Sequence, residues 1–131
     1  MSDSEKASET ILRNAWRPPS DLSAWQWAEK NVELDNTSSL PGKLSFDLFP
    51  CSKYFMDCTQ NRRTRRITLM VSAQSTKTQN AIIAVMWRVA EKPIPTMWIM
   101  ASADHCEEFA KKRLYPAMRD CPPVAALSPV E

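Results

Sequence analysis

The sequence predicts an α/β fold whose parallel sheet is incomplete. Two apolar runs have the composition of buried strands, residues 66–71 and residues 96–101. Each run is followed by a segment with helical periodicity, 79–90 after the first and 103–114 after the second. Because strand and helix alternate, the two strands are expected to lie parallel in one sheet. Two strands are too few for a finished sheet.

The composition is that of one ordinary domain. The chain has 131 residues, 44% of them apolar, and a net charge of +2, which neither favours nor excludes nucleic acid. Four cysteines form no CxxC pair and His105 is the single histidine, so reduced cytosolic thiols are favoured over a zinc site. The sequence has no signal peptide and no run of eighteen apolar residues, so we expect neither secretion nor a membrane span.

Short helices are predicted before the first strand. A weak amphipathic pattern at the N-terminus ends at a Pro-Pro pair. A second helix is predicted over residues 22–31, with Ser20 or Asp21 as its N-cap. It contains Trp25 and Trp27, which we expect to anchor the helix to a core. A dedicated partner surface is the less favoured alternative.

The remaining segments give weaker signals. Residues 32–50 are expected to be irregular and 51–59 to form a short helix. The basic turn Arg62–Arg66 suits either contact with phosphate, on DNA or near the nucleotide, or plain solvation, and the sequence does not favour one over the other. The Pro/Ala-rich tail, residues 122–131, shows no element.

The polar segment Ser72–Thr78 has the layout of a phosphate-binding loop. It follows the first predicted strand directly and continues into a helix. In such a loop, backbone N–H groups and the helix N-terminus point at the phosphate. Lys77 is the candidate point charge near the outer phosphates, and the Thr78 hydroxyl is the candidate Mg²⁺ ligand.

Thr76 departs from the standard pattern GxxxxGK[ST], which has glycine before the lysine. The other glycine of the pattern is also missing, and Gly42 is the only glycine in the chain. A positive φ at β-branched Thr76 would cost roughly 1–3 kcal/mol of strain. The alternative is an ordinary polar turn with Lys-Thr opening a helix.

A wider set of features matches one family in order and spacing. These are Trp16-Arg17-Pro18-Pro19, Leu22-Ser23-Ala24-Trp25, Trp27-Ala28-Glu29, Ser38 to Gly42, Phe49 to Asp57, the loop Ser72-Ala73-Gln74-Ser75-Thr76-Lys77-Thr78, Pro95-Thr96, Phe109, Arg113-Leu114 and Pro116. Over roughly residues 11–123 the chain resembles the N-terminal part of the large terminase subunit of lambda-type tailed phages. The loop resembles that family's deviant Walker A, which starts with a small residue, has Gln in the middle and ends in Gly-Lys-Thr.

The resemblance implies the start of a P-loop NTPase parallel sheet within a viral DNA-packaging motor subunit. The parent protein would couple ATP hydrolysis to translocation of double-stranded DNA into a procapsid through the portal, and cut concatemeric DNA with a separate endonuclease domain. Residues 1–45 would dock the small terminase subunit, 46–123 would form a partial ATPase core, and 124–131 a tail. The cofactors would be ATP and Mg²⁺, and the location the cytoplasm of the bacterial host.

By the same resemblance, nucleotide would be held by Ser72, Ala73, Gln74, Ser75, Thr76, Lys77 and Thr78. Lys77 would contact the β/γ-phosphates and Thr78 the Mg²⁺. Ala73 replaces an arginine that some large subunits place here to act in cis on the γ-phosphate, a type of contact worth 10³–10⁵ in rate in other NTPases.

The carboxylates needed for hydrolysis are not evident in the sequence. No acidic pair follows an apolar strand, because Asp104, Glu107 and Glu108 belong to a predicted helix, and no nuclease carboxylate cluster is present. We therefore expect that the isolated chain does not hydrolyse ATP measurably. Two other functions remain open, a non-catalytic interaction module with a decayed P-loop and a helicase-like P-loop ATPase.

Overall fold

The computed structural model describes residues 8, 9, 12, 13, 16, 18, 20–34, 41–73 and 75–127. Within these residues helices dominate, with one small antiparallel sheet in which Glu33 pairs with Lys43 and Leu34 with Gly42. None of their helices has the length and apolarity to cross a bilayer. The elements are α1 (Ala24–Asn31), β1 (Glu33–Leu34), β2 (Gly42–Lys43), a 3₁₀ turn (Phe46–Leu48), α2 (Cys51–Gln60), α3 (Lys77–Glu91), α4 (Ala103–Phe109), a π-helical turn (Ala110–Leu114), α5 (Tyr115–Arg119) and α6 (Pro122–Ala125).

Helix α1 begins two residues later than predicted. The Ser23 hydroxyl accepts a hydrogen bond from the Gln26 backbone N–H, and the Gln26 side chain accepts one from the Ser23 N–H. This reciprocal capping box satisfies two amides at the helix start. The predicted N-cap at Ser20 or Asp21 is therefore wrong, because Ser23 already fills that role.

The two tryptophans of α1 have different environments. Trp27 is only 2% exposed and lies in the core, as predicted. Trp25 is half-buried, and the Lys53 ammonium lies 4.7 Å from the centre of its ring. This cation–π contact attaches α1 to α2 at the edge of the core.

Helices α1, α2, α3 and α6 share one hydrophobic core. Helix α3 contributes Ile82, Ile83, Met86 and Trp87 to it. The buried apolar side chains are Ala24, Trp27, Ala28, Val32, Leu44, Phe46, Met56, Ile82, Ile83, Met86, Trp87, Phe109, Cys121 and Val124. The N-terminal helix thus packs on the later helices rather than apart from them. The division at residue 45 stays a prediction.

Helix α6 lies in the tail, where no element was predicted. Pro122 and Pro123 open it, since the fixed φ of proline suits the first turn of a helix and its missing N–H is not needed there. Val124 is fully buried and Cys121 is 1% exposed, so the helix is held by the core. The expectation of an unstructured tail is therefore wrong for these residues.

The predicted strands 66–71 and 96–101 do not pair. Both segments lack helix and strand hydrogen bonding, and Met70, Met97 and Ile99 are 95%, 83% and 81% exposed. The prediction that they are buried is wrong in this structure. A parallel strand is stabilised by neighbours at its edges and by helices over both faces, and two short segments cannot supply these for each other.

Helix α4 begins as predicted, with the Ser102 hydroxyl accepting from the His105 N–H. The helix does not end at Pro116 but continues to Arg119 through the π-helical turn, where the Tyr115 N–H donates to the Ala110 carbonyl. Proline has no N–H and clashes with the carbonyl four residues earlier, so a widened turn just before Pro116 accommodates it. Surface ion pairs one turn apart join Lys111 to Glu107 and Lys112 to Glu108.

Candidate phosphate-binding site

Thr76 has a left-handed backbone conformation, with φ 59° and ψ 8°. Among the described residues it is the non-glycine residue with a positive φ, and Gly42 is the glycine that has one. The chain therefore bends at Thr76 as a phosphate-binding loop bends at its glycine. A β-branched residue is strained in this conformation, so Thr76 is the position at which backbone strain is expected.

Helix α3 starts immediately after this bend with its first amides uncapped by a side chain. Ser23 and Ser102 each cap their helices through a hydroxyl, whereas the Thr76 side chain makes no such bond. The first N–H groups of an α-helix have no partner within the helix. The partial positive charge of this fifteen-residue helix therefore faces the loop.

Side chains fold the loop onto itself. The Ser75 hydroxyl donates to the Ser72 carbonyl at 2.6 Å, and the Thr76 hydroxyl donates to the Ser75 carbonyl at 2.7 Å. The Lys77 ammonium donates to the Val71 carbonyl at 3.4 Å. The ammonium thus lies between the end of the first predicted strand and the start of α3.

The predicted loop residues differ in exposure. Ser72, Ala73 and Thr78 are exposed, while Ser75, Thr76 and Lys77 are half-buried. Gln74 lies outside the described residues. The structure therefore brings the Thr76 bend, the lysine and the helix start together, and leaves the Thr78 hydroxyl open to solvent.

A cleft of about 600 Å³ adjoins the start of α3, within the size range of small-molecule sites. Residues 75–80 line it together with the 3₁₀ turn and the π-helical turn. Its charged lining residues are Lys43, Lys77, Lys112, Arg113, Glu33 and Asp120. Cations outnumber carboxylates, which favours an anionic ligand.

Sequence reasoning missed most of these charged residues. No ligand role was predicted for Lys43, Lys112 or Arg113. No local signal could have revealed the grouping, because these residues come from separate elements that meet only in the fold.

The described residues hold no group of three or more His, Cys, Asp or Glu side chains that could bind a metal ion. The carboxylates that line the cleft are those of Glu33 and Asp120, and the Thr78 hydroxyl is among its neutral oxygen donors. An Mg²⁺ ion that keeps its waters and takes further ligands from phosphates suits such a site.

The arginines of the turn at 62–66 all lie on the surface. The turn is shaped by the Arg63 N–H, which donates to the Asn61 side-chain oxygen at 2.9 Å. Exposure suits contact with DNA and solvation alike, and none of these arginines lines the cleft.

A left-handed bend, a lysine and an uncapped helix start lie together beside a cationic cleft, and such an arrangement suits an anionic ligand. Residues 38–129 match the family model for the ATPase domain of the phage terminase large subunit gpA. The chain belongs to this family. It is also 27% identical to the terminase large subunit of Enterobacteria phage P21 over 112 residues, which cover 85% of this chain and 17% of that protein. The chain thus spans less than a fifth of the length of this relative. No solved structure gives a significant match.

Proposed function

We propose that the chain binds MgATP at residues 72–78 and forms part of the ATPase domain of a viral DNA-packaging motor subunit. One observation carries the proposal, the left-handed Thr76 directly before Lys77 at the start of α3. A left-handed bend that suits glycine is present although threonine is ill suited to it, and this supports a phosphate-loop role for the segment. Membership of a terminase ATPase-domain family supports ATP as the nucleotide.

Each loop group has a defined task in this proposal. The N–H groups of Lys77, Thr78 and Gln79 would donate to phosphate oxygens at the helix N-terminus. The Lys77 ammonium would exchange its 3.4 Å contact with the Val71 carbonyl for the β/γ-phosphates. Ser72, Ala73, Gln74 and Ser75 would enclose the phosphates with their backbone.

The cleft would hold the rest of the nucleotide and the metal ion. Lys112 pairs with Glu108 at 2.6 Å, so Arg113 is the cleft cation on that helix better placed to meet a phosphate. The Thr78 hydroxyl would bind Mg²⁺, whose chemical role is to neutralise phosphate charge.

The parent protein's role follows the family. We propose that it packages double-stranded DNA through the portal with ATP hydrolysis in the host cytoplasm, and carries an endonuclease elsewhere in its sequence. Residues 1–45 would dock the small terminase subunit. In the longer protein, residues 66–71 and 96–101 would pair as strands of a P-loop sheet, which would bury Met97 and Ile99. Family membership favours this role over a helicase-like ATPase.

Titration with a fluorescent ATP analogue and Mg²⁺ tests nucleotide binding. The variant Lys77→Ala should bind at least tenfold more weakly than the wild type, because it loses a charged contact with phosphate. Lys111→Ala is the matched control, since it removes an exposed lysine outside the cleft and should bind within about twofold of the wild type.

Equal binding by wild type and Lys77→Ala would contradict the proposed site. Absence of binding in the wild type and in Thr76→Gly, with small-subunit capture retained, would favour the non-catalytic interaction module instead. Binding gained only with glycine would indicate a decayed loop.

A further inference from the structure

A buried polar pair lies beneath the left-handed bend. Asn80 on α3 is 7% exposed and Ser52 on α2 is 3% exposed, and they are the buried polar residues among those described. The Asn80 amide nitrogen lies 2.7 Å from the Ser52 hydroxyl oxygen. A buried amide is stable only when its donors have partners, so this pair fixes the Asn80 side chain against α2.

The same amide nitrogen also reaches the bend. It donates to the Thr76 hydroxyl at 3.4 Å, and that hydroxyl in turn donates to the Ser75 carbonyl at 2.7 Å. The Asn80 backbone N–H donates to the Thr76 carbonyl at 2.8 Å. Thr76 is thus held by its carbonyl and by its side chain, and Asn80 holds both.

Glycine could make the carbonyl bond but not the side-chain bonds. The branched Cβ that disfavours a positive φ at Thr76 also carries the hydroxyl that the Asn80 side chain contacts. A conformation that a residue disfavours persists only when its surroundings fix it. Asn80 and Ser52 are the groups that connect Thr76 to the helical core.

We propose that Asn80, oriented by Ser52, is a positioning residue that holds Thr76 in the left-handed conformation and so replaces the glycine of the phosphate loop. This inference rests on the nucleotide site proposed above. Neither Asn80 nor Ser52 needs to touch the nucleotide. Their effect is to keep the N–H groups after Thr76 aimed at the phosphates.

A double-mutant cycle between positions 76 and 80 tests the inference, because each change removes one side of the same contact. The readouts are affinity for the fluorescent ATP analogue with Mg²⁺, and urea unfolding without nucleotide, both on the full chain. Asn80→Ala should weaken binding about fivefold with Thr76 present, the size expected for one neutral hydrogen bond. In the Thr76→Gly background it should change affinity less than twofold, since glycine needs no support.

The variants Thr76→Val and Thr76→Ser distinguish two contributions of the Thr76 side chain. One is its hydrogen bond with Asn80, called the clamp below, and the other is its packing. Valine keeps the β-branched shape without the hydroxyl and should bind about fivefold more weakly, whereas serine keeps the hydroxyl and should bind within about twofold of the wild type. These variants leave the core intact, so they remain informative if Asn80→Ala fails to fold.

Failure of the clamp and failure of the proposed nucleotide site give different results. Equal loss from Asn80→Ala in both backgrounds, or wild-type affinity in Thr76→Val, would overturn the clamp and leave the nucleotide site standing. No binding by the wild type and by Thr76→Gly would overturn the nucleotide site. In that case the double-mutant cycle measured by urea unfolding still tests whether Asn80 holds Thr76. Additive effects of the changes at positions 76 and 80 on the free energy of unfolding would reject the clamp, and coupled effects would support it.

Discussion

The backbone N–H of Ser20 donates a 2.7 Å hydrogen bond to the Glu91 carboxylate, joining residues 71 positions apart. Glu91 is the last residue of α3, so the segment that precedes α1 is attached to the end of the helix that starts at the phosphate loop. The Ala24 N–H makes a second connection, to the Gln60 side chain at 3.1 Å. Helix α1 is therefore hydrogen-bonded to α2, and the segment before it to α3, in addition to the packing between them.

Replacing Glu91 by alanine should release the segment before α1. The Ser20 N–H would lose a charged acceptor, so its hydrogen exchange should become faster, and the free energy of unfolding should fall by about 1–2 kcal/mol. Exchange by NMR and urea unfolding measure the two effects. Glu107→Ala removes an exposed ion pair and should change neither quantity by more than a few tenths of a kcal/mol. Unchanged exchange at Ser20 in Glu91→Ala would contradict the structural link.

Replacing Arg113 by alanine should weaken binding of the ATP analogue about three- to tenfold, because the cleft loses a cation. The effect of Arg113→Ala on affinity should be smaller in high salt, because salt screens the attraction between Arg113 and phosphate in a cleft that is open to solvent. Lys111→Ala, which removes a neighbouring lysine outside the cleft, serves as the control. If both variants bind equally well, Arg113 has no part in the site.

Replacing Met97 and Ile99 by lysine should make the chain less prone to self-association. These side chains are 83% and 81% exposed, so their removal costs little buried area while the added charge disfavours contact between exposed apolar segments of two chains. Light scattering and binding of an apolar dye should both decrease, with the urea midpoint unchanged. Met86→Lys is the opposite case, because Met86 is fully buried and its replacement should unfold the chain. A lower midpoint in the Met97 and Ile99 variant would show that the segment is packed.

Alkaline pH should destabilise the fold through Cys121. Burial raises the pKa of this thiol above its ordinary value, so it stays protonated in the folded chain when the unfolded chain has begun to ionise. Its contribution to stability is complete below the unfolded pKa, about 8.5, and is lost as pH rises through the higher folded pKa. Urea unfolding between pH 7 and pH 10 should show a shallower decline for Cys121→Ala than for wild type. Val124→Ala, which removes a buried side chain that does not titrate, should keep the wild-type slope.

Features set by a few neighbouring residues could be predicted from the sequence. The start of α4 at residue 103 was predicted, because a helix start depends on residues within one turn, here on the Ser102 cap. The unusual bend at Thr76 was anticipated as a strained position because glycine is missing next to Lys77. The start of α1 was missed, since three polar residues compete for the cap and only the Gln26 side chain decides for Ser23.

Features set by distant residues could not be predicted. The apolar composition of 66–71 and 96–101 indicates strands, but pairing depends on neighbours that a local pattern does not contain. The cleft brings Lys43 together with Arg113, seventy positions later, and no spacing rule relates them. The amide of Asn80 gave no signal at all, because its importance comes from Ser52 on another helix.

The π-helical turn at Ala110–Leu114 has a consequence for sequence change along this helix. A π turn holds one residue more than an α turn, so it shifts the angular phase of everything after it by about 100°. Ala117 and Met118, which follow the turn, pack against the core, while Arg113 within the turn lines the cleft. Deleting one residue from the turn would restore a regular helix and rotate α5 away from the core. A relative that lacks the extra residue is therefore expected to carry its apolar residues at different spacing after the turn.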